Sequence, residues 1–346
     1  MNIYLDTNAT SFSFYNSLLP NLSAYYREYP GRESLPTISF ENVEWLDPLI
    51  IPNIIGAGIV LKKYHRRPIP LKLVWNPRLL YFLNEIGFFQ VIDNPILQIY
   101  DYNKDYVGGF PSDKKYRDKH KLHYYFPDMN YYKIPTNQQA TYRNNMFEQL
   151  RYNHIPNDYR EVIGDQGALT STEINRALNV LTEIICNSVL YSESECFSFI
   201  QTNAYGTSLS ISDCGIGFKG SFDKKKIDLP LYRELKEKVS SRINRDASDF
   251  LIILDVLDYS KRQERENLWD LKNLVIKNHG KLRIHYNSTQ LVFTHNRCSG
   301  CSKEIKECME CHLSTKDWDP QYASLRFFSS KYSGVHIEVE LNRREG

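Results

Sequence analysis

The amino-acid sequence predicts an α/β protein in two units, a small one over residues 1–95 and a larger two-layer one over 166–346, joined by a connector over 96–165. Three patterns carry that reading. A β-α-β-α run occupies 37–86. A capped, one-faced helix over 171–191 leads into two short alternating strands at 197–201 and 207–211. Near the C-terminus, Val335, Ile337, Val339 and Leu341 alternate with the period of a strand. With 346 residues the chain is long enough for two cores.

Bulk properties exclude several classes. Lys and Arg number 43 against 41 Asp and Glu, so no global field draws the chain to nucleic acid or an anionic membrane. The longest apolar run, 49–61, is interrupted by Pro52 and Asn53 and is too short to span a bilayer. No basic segment followed by an apolar core opens the sequence, so a cytoplasmic protein without a secretory signal is expected.

In the small unit, 37–43 reads as a strand. Asp47-Pro48 reads as an N-cap followed by proline in the first turn of a helix over 49–65. A strand at 71–75 and a helix at 79–86, stopped by Gly87, complete it. The connector is rich in Tyr, Asn, Asp, Lys and Pro and carries Gly108-Gly109, with one helix expected near 145–152. Its stretch KKYRDKHKLHYY (114–125) has the composition of a phosphate-contacting, base-stacking surface. The charge is local, however, and a solvated linker face is the first reading; a nucleic-acid partner is not expected.

The larger unit carries the chemistry. Thr170 and Glu173 form a T-x-x-E capping box, and Ile174, Leu178, Leu181 and Ile185 form one buried stripe. Glu183 and Asn187, one turn apart on another face, project together. An isolated acid and amide so placed are usually only a solvated face. Here the second strand runs into Asp213-Cys214-Gly215-Ile216-Gly217, whose glycines let backbone turn sharply toward a flat ligand and whose carboxylate can accept from an exocyclic amine. A helix through Leu268, Leu271, Leu274 and Val275 ends at Gly280, and strands at 282–286, 291–293 and 335–341 complete a mixed sheet. Between the last two, Cys298, Cys301, Cys308 and Cys311 form C-x2-C-x6-C-x2-C, the spacing of two knuckles around one zinc ion, and make 294–325 a zinc insertion. His312 is a candidate substitute ligand, though an adjacent surface histidine is the first reading, and 294–325 holds few apolar residues for a core of its own.

From about residue 166 the chain resembles the GHKL ATPases, the fold shared by DNA gyrase, mismatch-repair ATPases, heat-shock chaperones, histidine kinases and anti-sigma-factor kinases. The resemblance implies ATP and Mg2+ as ligands. It makes Asn187 the magnesium-holding asparagine, Glu183 the general base, and Asp213, with Gly215 and Gly217, the reader of the adenine amino group. Lys261 and Arg262 fall where that family's nucleotide lid begins, and Asn267 falls in its phosphate loop. The loop departs from the family pattern: Arg265-Glu266-Asn267-Leu268 replaces G-x-G-L, leaving the amides of the helix start to face phosphate. The stretches FENVEWLDPLIIPNII and LLYFLNEIGF give the small unit a resemblance to STAS domains without their phosphorylatable serine, which implies a docking or structural module rather than a phospho-switch. The combined expectation is an ATP-hydrolysing switch in signalling or defence, with a protein partner at the STAS-like unit or the zinc loop, no membrane partner, and a homodimer left open. The alternatives are an anti-sigma-type kinase and a non-hydrolysing interaction module. His154, followed by Pro156, offers no phosphoacceptor helix for an autophosphorylating kinase.

Overall fold

Helix α2 (Ile51–His65) is buried almost all round, as a helix apolar on every face must be. It is the 49–61 run, and it lies between two sheets. The computed structural model describes residues 1–107, 120–153, 155–164, 169–263, 265–298, 304–314 and 321–342. Among the described residues the class is α/β, and no helix is long and apolar enough to cross a membrane.

On one side of α2 lies a four-stranded parallel sheet in the order β1 (Asn2–Tyr4), β3 (Thr37–Ser39), β5 (Ile69–Lys72), β6 (Tyr100–Asp101). A second parallel pair joins β2 (Asn8–Ala9) to β4 (Trp45–Leu46). Helices α1 (Leu19–Glu28), α3 (Pro77–Glu85) and α4 (Phe88–Ile92) complete this unit. Asp47 accepts from the amide of Leu49 at 3.0 Å, the cap its sequence context predicts. The unit extends past residue 95, because Tyr100 pairs with Ile69 and packs into the same core.

On the other side lies a five-stranded sheet, β10 (Lys281–Thr294), β11 (Leu325–Asn342), β9 (Gly206–Asp213), β8 (Cys196–Asn203) and β7 (His120–Tyr125), in that order. Every pairing is antiparallel, which corrects the mixed sheet read from the sequence. Helices α5 (Thr136–Asn153), α6 (Pro156–Gly164), α7 (Ser171–Tyr191), α8 (Gly217–Lys225), α9 (Pro230–Ile243), α10 (Ser248–Lys261) and α11 (Leu268–Lys277) accompany it. The expected connector is therefore largely part of this unit. Residues 120–125 of its basic, aromatic stretch supply edge strand β7, paired to β8 from His120↔Gln201 to Tyr125↔Cys196, while 114–119 lie outside the described residues. Two strands expected at 282–286 and 291–293 are one long strand, bent where Asn287 takes φ 50°.

Period two divides the sheet. Cys196, Ile200, Leu209, Ile211, Ile337 and Val339 join the helical core, whereas Phe197, Phe199, Phe328 and Tyr332 join the core of the parallel unit. The insertion after β10 also packs inward: α12 (His295–Cys298) and α13 (Ile305–Ser314) bring Ile305, Cys308 and Met309 into the helical core. The few apolar residues of 294–325 thus join the core of the larger unit. His312, expected at the surface, is 3% exposed and set edge-on to Phe293.

Gly56 is where α2 meets the larger sheet most closely. A Cβ there would lie 2.5 Å from Cys214 Sγ and 2.7 Å from the Tyr332 hydroxyl. Gly56→Val should therefore destabilise the protein by about 1–3 kcal/mol despite the better helix propensity of valine. A urea midpoint equal to or above the parent's would show that α2 does not press on the sheet here.

Candidate functional site

Helix α7 starts as its sequence dictates. The Thr170 hydroxyl accepts from the Glu173 amide at 3.3 Å, and the Glu173 carboxylate accepts from the Thr170 amide at 3.0 Å. Leu178, Leu181 and Ile185 point into the core, which fixes the helix rotation and turns Glu183 and Asn187 toward a cavity of about 360 Å³. Strand β9 delivers Asp213 to the same cavity, and Gly217 and Asn267 also line it.

The Asp-x-Gly-x-Gly turn is fixed by close approach. A side chain at Gly215 would collide with the Ser192 carbonyl, and Gly217 takes φ +66° with Tyr286 against it. Asp213 is 3% exposed, accepting from the Gly215 amide at 3.1 Å and from the Ser188 hydroxyl at 3.2 Å. Burial pushes its carboxyl up to about 6, against the hydrogen bonds from Gly215, Ser188 and Val335. A carboxylate has about four lone-pair sites, so Asp213 keeps capacity for a donor arriving from the cavity.

Two cations missed in the sequence share this space. Arg143, from α5, forms an ion pair with Glu183 and donates to Asn187 Oδ1 at 3.4 Å. Asn187 in turn donates to Glu183 Oε1 at 3.3 Å. Burial works against the guanidinium, yet Glu183 beside it holds its pKa above the ordinary value. Glu183 Oε2 and Arg143 Nη1 are buried without a hydrogen-bond partner among the described residues. Such orphaned groups are costly in a finished core, and here both belong to residues lining the cavity. Lys225, at the end of α8, also lines it, with its ammonium 3.2 Å from the centre of the Tyr191 ring. Burial, then Arg143, push this amine down to about 7, while Glu183 and Cys186 oppose them.

Other expected residues lie elsewhere. Lys261 pairs with Glu304 at 3.1 Å and Arg262 with Asp258 at 3.2 Å, and neither is among the cavity's lining residues. The start of α11, expected to offer free amides, is already capped. The Asn267 side chain accepts from the Trp269 amide at 3.0 Å, and Asp270 accepts from the Asn267 amide at 3.2 Å. Arg265 does line the cavity, its guanidinium donating to Asn144 on α5 at 2.9 Å. Of the four cysteines, Cys301 lies outside the described residues. Cys298 and Cys308 are buried and Cys311 partly so. Burial first, then the neighbouring Cys298 and Cys311, raise the Cys308 thiol to about 12, with Lys272 opposing. Among the described residues no three His, Cys, Asp or Glu side chains form a metal-holding group.

The signal for Arg143 was weak, since α5 exposes most of its length and fully buries only Leu150. That for Lys225 was only its place eight residues beyond Gly217. The chain matches no family model, no curated protein and no solved structure.

Proposed function

We propose that the protein binds ATP in this cavity as a GHKL-type nucleotide switch and hydrolyses it with magnesium, in signalling or defence. One observation carries the reading: Glu183, Asn187 and Asp213, from two separate elements, line a single cavity in which Glu183 Oε2 lacks a partner among the described residues. Its volume falls in the roughly 300–1,000 Å³ range of small-molecule pockets. Asp213 accepts the adenine amino group. Asn187 would hold magnesium through its amide oxygen, and the metal would supply charge neutralisation for the phosphates. Glu183 takes the proton as water attacks the γ-phosphorus; the bond to the β-bridging oxygen breaks, and ADP and phosphate leave.

The capped start of α11 favours a second reading, a module that binds nucleotide without turnover. Phosphate release separates the two. Glu183→Ala should abolish release while nucleotide affinity changes little, since a general base acts in the transition state. Release that survives in this variant would remove the assignment.

Asp213 makes recognition pH-dependent. Its folded pKa is raised, so its ionisation costs folding free energy: the cost is absent below the ordinary aspartate range and grows as pH rises through about 6. Adenine binding runs the other way, because the protonated carboxyl loses acceptor capacity. Affinity should fall as pH drops through about 6. Asp213→Asn should weaken binding by about 1.5–3 kcal/mol and abolish that pH dependence. Equal affinity of the parent for adenine and guanine nucleotides, measured by calorimetry, would refute this role.

We further propose that Cys298, Cys301, Cys308 and Cys311 hold one structural zinc ion. The C-x2-C-x6-C-x2-C spacing supports this, and four thiolates leave no open position for catalysis. Purified protein should carry about one zinc per chain. Cys301→Ser should lose it and become protease-sensitive between β10 and β11, with nucleotide binding retained. Metal-free protein prepared without chelators would overturn the assignment.

A further inference from the structure

We propose that Arg143 and Lys225 hold the terminal phosphates of the nucleotide, two side-chain cations doing what a glycine-rich loop does with backbone amides; this rests on the nucleotide reading of the cavity. The usual route is largely taken up. At the start of α11 the amides of Asn267 and Trp269 are taken by Asp270 and Asn267. An anion approaching there also meets the Asp270 carboxylate, which Arg176 pairs from outside at 2.8 Å. Asn267 is itself tied down, donating to the Ser260 and Arg265 carbonyls at 2.6 Å each.

Elsewhere in the same cavity the balance is reversed. The charged residues lining it are Arg143, Lys225 and Arg265 against Glu183 and Asp213, with Glu183 paired to Arg143. Both contacts of Arg143, to Glu183 and Asn187, use Nη2, so the other arm of a planar fork suited to phosphate oxygens is unspent. Lys225 is held over the Tyr191 ring, enclosed enough that burial opposes its charge, and an arriving phosphate supplies the missing counter-charge. Helix α5, which carries Arg143, is anchored to α7 by Arg151 donating to Asn179 at 2.6 Å, and its Asn144 holds Arg265 of the loop before α11.

This arrangement links binding to chemistry. Without phosphate, Arg143 neutralises Glu183. A γ-phosphate that draws the guanidinium away leaves Glu183 free to accept the proton of the attacking water, so the base is released when a triphosphate is present.

The test is calorimetry on the full chain with adenosine, ADP and a non-hydrolysable ATP analogue. Arg143→Gln and Lys225→Met should each weaken the analogue about 10- to 100-fold while adenosine stays within about twofold of the parent. The neutral double variant Arg143→Gln/Glu183→Gln, which leaves no buried charge unpaired, should keep the loss. Parent-like affinity for the analogue in folded single variants would overturn the cradle alone, as would recovery in the double variant or an equal loss for adenosine. A parent that binds none of the three ligands would overturn the nucleotide reading and the cradle with it.

Discussion

The structure depends on the contact of α2 with the back of the antiparallel sheet. The helix is apolar all round because it faces the parallel sheet on one side and β8 and β9 on the other. Gly56 lets Cys214 and the Tyr332 hydroxyl, 3.2 Å apart, come against its backbone. Tyr332 donates to the Asn53 carbonyl at 2.8 Å, and Asn53 donates to Tyr15 at 3.0 Å. Because Cys214 immediately follows Asp213, the same packing that joins the units also holds the turn at the cavity floor.

This interface is polar as well as apolar. Tyr15 stacks on His285, with ring centres 3.8 Å apart, and Tyr332 stacks on His336 at 4.3 Å. Burial pushes His285 down to about 3, so the stack is neutral at ordinary pH. Glu338 accepts from Ser11 at 2.6 Å and from Arg283 at 3.4 Å, while Arg283 also pairs with Glu340 at 2.5 Å. Burial raises the Glu338 carboxyl to about 7, against Arg283 and Ser11. Such groups tolerate burial only with their partners in register. Ser11, from the first unit, and Glu338, from the last strand, are therefore matched to one docking of the two sheets.

Much of the site was legible because its signals are local. Their four-residue spacing puts Glu183 and Asn187 together on α7, and the capping box and apolar stripe fix which way that pair faces. The Asp213 turn was legible for a similar reason, since its glycines are required by a collision with Ser192 and by a left-handed φ. Alternation along β11 says that the faces differ, but not that a second unit buries the His336 and Glu338 face. Arg143 was hidden because α5 shows only a short apolar stripe, Tyr142, Met146, Phe147 and Leu150, and an arginine beside it reads as part of a solvated face. Strand β7 was taken for a linker because its residues are half-buried on both faces, as at a sheet edge.

The Arg143–Glu183 pair bears on both halves of the site. A partly buried ion pair adds little net stability, because desolvation offsets most of the attraction, and an apolar pair could hold α5 against α7 as well. What an apolar pair lacks is the capacity to exchange partners. A guanidinium bound to a carboxylate through one arm can be drawn off by a stronger anion, whereas the capped amides of α11 have no such freedom. On the proposed nucleotide reading, the departure of 265–268 from a glycine-rich loop and the Arg143–Glu183 pair are two sides of one arrangement: phosphate affinity would reside in side chains that also govern whether Glu183 is free.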